Sequence, residues 1–402
     1  MGNVEIETKH HVQADMAPPT SSVGAVGWVK KNLFSSWLNT LLTIVSAFIA
    51  FYVIKGTVSW VFVTAEWSVI SSNFRLLMVG QFTVEQLWRV WVGLLIVSTL
   101  LGLSWGIWKG TTSRVAITIS GVMAVMAIVP FVQTNTRIWL VANLLLMGIA
   151  YFIGAKFSRL KTAVIVGWFL FFPVVIFFLN GFGVLQPVST NLWGGFLLTL
   201  LISLVSIVVS FPFGILLALG RRSNLPFVKW FSIAYIELIR GIPLITVLFI
   251  SQLMLPLFLG DGIQLDNVLR SMIGFTMFSA AYLAENIRGG LQSIPRGQFE
   301  AAHALGLNST YMMAFVIMPQ ALRAVIPAMV GQFIGIFKDT VLVAIVGLID
   351  LLGMGKKIIA NPKFLGTQME VFVFVAFVFF IFCYLMSYVS RRMEVALGVG
   401  ER

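Results

Sequence analysis

Long apolar runs alternate along this chain with short polar or basic breaks, and the runs have the length needed to cross a membrane. About 20 mainly apolar residues span a bilayer as a helix rising about 1.5 Å per residue. Ten stretches meet that requirement: 37–55, 86–107, 115–131, 137–155, 163–180, 191–219, 229–257, 268–286, 324–348 and 368–390. The segment 57–84 is apolar as well, but Trp60, Trp67 and Arg75 interrupt it, which predicts an interfacial or folded external segment. Residues 1–35 are mostly polar and include Pro18-Pro19-Thr-Ser-Ser, so they read as a disordered tail without the short basic region and cleavage site of a signal peptide. The expected fold class is an all-α membrane protein of about ten transmembrane helices.

Composition supports this and removes other classes. Hydrophobic residues make up 59% of 402 and charged residues 10%, too few polar groups to cover a soluble domain. The single cysteine, Cys383, lies in the last run, which excludes a disulfide framework. A net charge of +12 could suit nucleic acid, but the basic residues are scattered between spans, where they report topology and not a nucleic-acid face. With the N-terminus inside, 17 basic residues fall on the cytoplasmic side against 8 outside, so both termini are expected in the cytoplasm. Lys356, Lys357 and Lys363 run against this bias in the loop 349–367.

Charges inside spans cost roughly 2.5–3.5 kcal/mol each on insertion scales and usually face partners, water or substrate. Glu237, Arg240, Glu285, Lys338 and Asp339 form that set here. Glu237 and Arg240 share a helix face, and Pro243 removes a backbone hydrogen bond and predicts a kink beside them. With Tyr282 and Thr340 these residues are candidates for a substrate pathway, since a zwitterion needs both an acceptor and donors. The alternative is that Arg240 pairs with Glu285 or Asp339 purely as structural glue. Gly331-Gln-Phe-Ile-Gly335 is a GxxxG pattern, read as packing within the chain. There is no phosphate loop, and His10, His11 and His303 lack metal-ligand spacing, so no catalytic or metal site is expected and the chain cannot itself hydrolyse ATP in the familiar way.

One polar interruption carries more information. Ser293-Ile-Pro-Arg-Gly-Gln-Phe-Glu300-Ala301-Ala302-His-Ala-Leu-Gly306 is followed after nine residues by Val316-Ile-Met-Pro319. It reads as helix, glycine turn, helix: Ser293 as a cap, Pro295 in the first turn, Gly306 left-handed, and Asn308 or Ser309 opening the second helix. Taken alone, the first helix could lie on lipid headgroups with Phe299, Ala302 and Leu305 facing them. The spacing resembles the EAA loop of binding-protein-dependent ABC importer permeases, with Val316 and Met318 where that family usually has Ile and Leu. Asn191-Leu-Trp-Gly-Gly-Phe, Glu237-Leu-Ile-Arg-Gly-Ile-Pro243-Leu, Tyr282-Leu-Ala-Glu-Asn-Ile-Arg-Gly-Gly290 and Lys338-Asp-Thr-Val-Leu342 resemble its polar-amino-acid branch in the same order.

The resemblance implies a C-terminal core, 186–402, with the five-helix type I (MetI-like) importer fold and a coupling hairpin at about 288–320, preceded by a transmembrane extension over 36–185. That extension resembles those of the larger general L-amino-acid permeases. The resemblance further implies ATPase coupling through Glu300, Ala301, Ala302, Gly306 and Pro319, with ATP and Mg bound by a partner ATPase. It also implies a second permease or second copy, a soluble amino-acid-binding protein and a bacterial inner-membrane location. The rival expectation is a self-contained, ion-coupled secondary transporter, for which a broken helix and buried charges are equally at home; an EAA-like loop is foreign to it.

Overall fold

The computed structural model describes residues 24–130, 132–259, 265–396 and 398. Among these the regular structure is helical, with no strand beyond isolated bridges. The chain forms two compact units, Met1–Glu66 and Trp67–Arg402.

In the first unit, α1 (Gly24–Leu33) precedes α2 (Trp37–Ser59). Helix replaces part of the tail expected to be disordered; residues 1–23 lie outside the described residues. The segment has no proline, and Lys30 and Lys31 sit in the last turn, where the helix dipole favours cations. Thr43 then donates to the Leu33 carbonyl at 2.7 Å, fixing the turn into α2. Ser36 caps α2 by accepting from the Asn39 N–H. The first span is longer than expected: helix continues through a wide turn at Trp60–Thr64, giving an apolar stretch Trp37–Thr64 with no buried residue in its apolar window.

The second unit contains α3 (Ser68–Val79), α4 (Trp88–Trp108), α5 (Thr111–Ile128), α6 (Thr134–Lys156), α7 (Lys161–Asn180), α8 (Gly195–Arg221), α9 (Pro226–Gly241), α10 (Leu244–Phe249) and α11 (Leu255–Leu259). These are followed by α12 (Asn267–Ser293), α13 (Arg296–Ala304), α14 (Ser309–Tyr311), α15 (Met318–Asp339), α16 (Leu351–Ile359) and α17 (Gln368–Ala396). Among the described residues, 8 helices are long and apolar enough to cross a membrane, or 9 when the pair α9 with α10–α11, bent by 111°, is counted as one span. The expected straight span at 229–257 is therefore broken, where Pro243 prevents the helix from continuing. The remaining expected span, 268–286, is part of α12. It is long but more polar, because it runs through the centre of the unit and buries Ser271, Ser279 and many small residues. Residues 68–79 form the short helix α3, too short to cross.

Small side chains decide the packing. A Cβ on Gly102 would lie 2.3 Å from the Met147 carbonyl oxygen, so α4 and α6 touch backbone to backbone. Their interface also buries a Ser98 to Asn143 hydrogen bond of 2.8 Å. In the core, α8 meets α12 through Ser210 and Ser279, 2.9 Å apart, and α12 meets α15 through Asn286 and Gln332, 2.8 Å apart. Serine and amide pairs suit an apolar interior because every polar atom finds a partner. Where α8 begins, the Gly195 N–H donates to the Ile349 carbonyl at 2.9 Å, so the turn before α16 lies at that end. There too Gly80, after α3, meets Gly194, and a Cβ on Gly80 would fall 2.5 Å from the Gly194 Cα. The core and the helices α3–α7 before it thus lie in one unit. The hairpin lies at the other end, where α8 and α12 finish and α15 begins.

Candidate functional site

The interruption at 293–319 folds as a helical hairpin. Ser293 does not cap α13; it closes α12 by donating to the Gly290 carbonyl at 2.8 Å, and Pro295 occupies the N-cap position of α13. Gly306 has φ +76°, the left-handed conformation that lets the chain reverse after α13. Asn308 accepts from the Tyr311 N–H at 2.9 Å and starts the second arm, which widens at Met312–Ile317 before entering α15. Gln320, beside Pro319 in the first turn of α15, donates to the Gln298 side chain of α13 at 3.1 Å, tying the two arms.

The hairpin has an inner and an outer face. Ala302 is 2% exposed and packs with Leu291, Ile317 and Ala321. Phe299 is half-buried beside it, with the Arg222 guanidinium 5.8 Å from its ring. Glu300, Ala301, Leu305 and Pro319 are exposed, and Glu300 has no ion-pair partner among the described residues. Leu305 is therefore not on the face of Phe299 and Ala302 as expected, because α13 ends there and the turn carries it outward. Of the paired alanines, one seals the core and one faces out.

Beside the hairpin lies an ionic cluster at the break in α9–α10. Arg221 bonds Glu237 at 2.9 Å; Glu285 stands 3.6 Å from both Arg221 and Arg240 and is also bonded by Arg288. The Arg240 guanidinium lies 5.5 Å from the Tyr282 ring, and its Nε has no hydrogen-bond partner. Three cations thus share two carboxylates. Neither Arg221 nor Arg288 is among the pathway candidates of the sequence, although Arg288 lies one helical turn from Glu285.

The other candidates lie apart from this cluster, at the far end of α15. Lys338 is exposed and Asp339 half-buried, whereas Thr340 is buried with its hydroxyl donating to the Phe337 carbonyl at 2.8 Å. The glycines of the GxxxG pattern differ from expectation: a Cβ on Gly331 or Gly335 would meet nothing within 4 Å. Among the described residues no helix fills that face, because α12 and α17 approach α15 from other sides.

Residues 210–395, which include the hairpin and the whole cluster, match the family of binding-protein-dependent transport system inner membrane components. The chain is 36% identical over 398 residues to the inner membrane amino-acid ABC transporter permease protein YhdY of Escherichia coli, covering 95% of each. This chain belongs to the amino-acid ABC importer permeases. It is also 36% identical, across 96% of each chain, to the glutamate/glutamine/aspartate/asparagine transport system permease protein BztC of Rhodobacter capsulatus. A shorter relative, the glutamate/aspartate import permease protein GltK of Escherichia coli O157:H7, is 39% identical over 51% of this chain and 95% of its own. The permease is therefore a multi-pass inner-membrane transport subunit and not an enzyme, and in such systems the ATPase is a separate subunit. The ion-coupled alternative is set aside.

Proposed function

We propose that this permease imports amino acids, receiving them from a soluble extracytoplasmic binding protein and coupling to two ATPase copies through the outer face of α13. The observation that carries the reading is the two-sided hairpin. Ala302 welds α13 to the ends of α8, α12 and α15, while Glu300, Ala301 and Leu305 stand free. A partner that moves that outer face must move the three helices with it. In this reading both termini and the hairpin are cytoplasmic, and ATP and Mg are bound by the ATPase. The core 186–402 forms one wall of the pathway, and the helices of 36–185 lie at its periphery.

A second, homologous permease forms the other wall. Ala324, Ala328, Gly331, Gly335 and Lys338 fall along one side of α15, which no helix among the described residues covers. Small residues there let a second backbone approach closely, and Lys338 would then face the space between the two chains. Arg240, whose side chain is 33% exposed, offers a contact for a substrate carboxylate near the inner end of that space, while Glu285 keeps it in place. Tyr282 and Glu237 complete that region.

Reconstitution tests this. Expressed alone the chain should show no uptake. With its ATPase, second permease and binding protein it should take up amino acids in an ATP-dependent, ionophore-resistant way. Uptake by the single chain on an ion gradient without ATP would overturn the reading.

A further inference from the structure

α5 belongs to the helices that precede the core and α17 is the last helix of the core, and the two touch. The start of α5 meets the last turns of α17 there. The Arg392 guanidinium lies 5.3 Å from the Tyr388 ring, and the Tyr388 hydroxyl stands beside both Arg392 and Arg114. Both arginines are exposed, and neither is in an ion pair among the described residues. Arg114 occupies the first turn of α5, where the helix dipole opposes a cation and favours an anion. Two free guanidinium groups and a positive helix end therefore share one place with no acid to answer them.

Beyond these charges both helices turn apolar side chains outward. On α5, Ile117, Val125 and Ile128 are exposed and share the face of Arg114 by helical spacing. On α17, Phe377, Phe380 and Tyr384 are exposed on the face of Tyr388 and Arg392, with the Phe380 and Tyr384 rings stacked 5.9 Å apart. A free anion would use the guanidinium groups and leave both runs bare. A phospholipid uses all of it, with its phosphate at the arginines and its acyl chains along the runs. In the proposed orientation this end lies at the cytoplasmic leaflet, where tyrosine and arginine mark the interface and anionic lipid gathers.

We propose that Arg114, Tyr388 and Arg392 hold the headgroup of one anionic phospholipid, which bridges α5 and α17. The phosphate accepts from both guanidinium groups, the geometry in which arginine binds phosphate best. Such a lipid ties the helices before the core to the core at the end away from the Gly80–Gly194 contact. The transport reading above supplies only the choice of leaflet; the site itself stands on the side chains.

The test uses the complete transporter, delipidated in neutral detergent, titrated with phosphatidylglycerol or phosphatidylcholine and followed by native mass spectrometry. The wild type should hold one tight phosphatidylglycerol per copy of this chain. In Arg114→Gln together with Arg392→Gln that affinity should fall by about tenfold or more, to the level of phosphatidylcholine. Arg159→Gln together with Lys161→Gln removes as many exposed cations elsewhere and should leave the site intact. Equal binding by the wild type and the first variant overturns the proposal, and so does an equal loss in the second, which would reduce the effect to bulk charge. Loss of ATPase subunits from the first variant would make the arginines a protein contact and overturns it as well. Glycerol 1-phosphate that competes as well as the lipid would make this a site for a free anion, with the same consequence. A micelle has no sides, so a transporter that fails in reconstituted uptake would refute the transport reading and leave the lipid site standing.

Discussion

Arg240 of α9 stands 3.6 Å from Glu285 of α12, immediately before the chain turns through 111°. Glu285 therefore anchors the limb that precedes the break, and through Arg221 it reaches the end of α8 as well. Glu285→Gln would leave three guanidinium groups with Glu237 alone. The thermal midpoint should fall by the equivalent of about 1–2 kcal/mol, the range for partly exposed, multiply bonded carboxylates. Glu237→Gln should cost less, since Glu237 is 56% exposed. Scanning fluorimetry in detergent compares the two, and equal losses would contradict the central place given to Glu285.

Gly306 offers a test of coupling. Its added Cβ would meet open space, so any penalty is conformational and not steric, arising from φ +76°. Gly306→Val should cost about 1–2 kcal/mol locally and misdirect the second arm, whereas Gly306→Asn, which tolerates that region better, should be milder. Both variants should insert. Uptake and ATPase co-purification should fall for Val and largely persist for Asn; normal uptake by the Val variant would show that the turn does not transmit movement.

The open side of α15 makes a separate claim. A Cβ at Gly331 or Gly335 meets nothing within 4 Å, so a double leucine variant should keep its fold and melting point. It should nevertheless fail to co-purify with the second permease, because the bulk now stands where a backbone would approach. Undiminished co-purification would place the partner elsewhere.

Asp350, the N-cap of α16, gives a pH dependence. Burial pushes its carboxyl above the ordinary aspartate value, against the opposing pull of the Gly353 and Leu352 N–H groups. A value raised in the folded state means that folding tightens the hold on the proton. The stabilisation is complete below about pH 4 and is lost as pH rises through the raised value. Asp350→Asn keeps an acceptor for the cap and has no charge to desolvate. Its midpoint relative to wild type should therefore climb as pH rises above about 4, and a difference that stays constant with pH would refute the assignment.

Features that a single residue dictates were legible in the sequence. Pro243 announced the break, Gly306 the left-handed turn and Asn308 the cap, because each acts on its own backbone. Features that depend on what arrives from elsewhere in the chain were not. Nothing local tells Ala301 from Ala302; only the ends of α8, α12 and α15 make one of them core. Arg221 and Arg288 resembled ordinary loop charges until Glu285 was placed between them. Ser293 had the chemistry of a cap, but α12 runs on and uses its hydroxyl for its own last turn. The GxxxG pattern was read as internal packing because spacing shows that a helix can approach closely, not whether one does.

The meeting of Gly80 and Gly194 has a mechanical side. At that point neither strand of chain has room for a side chain, so no cushion of flexible atoms separates the helices added before the core from the start of α8. If α8 tilts as the pathway opens and closes, α3 must travel with it like a bracket riveted to a swinging door. The extra helices of that unit would then be cargo on the moving part, and whatever grips them from outside could slow or hold the swing.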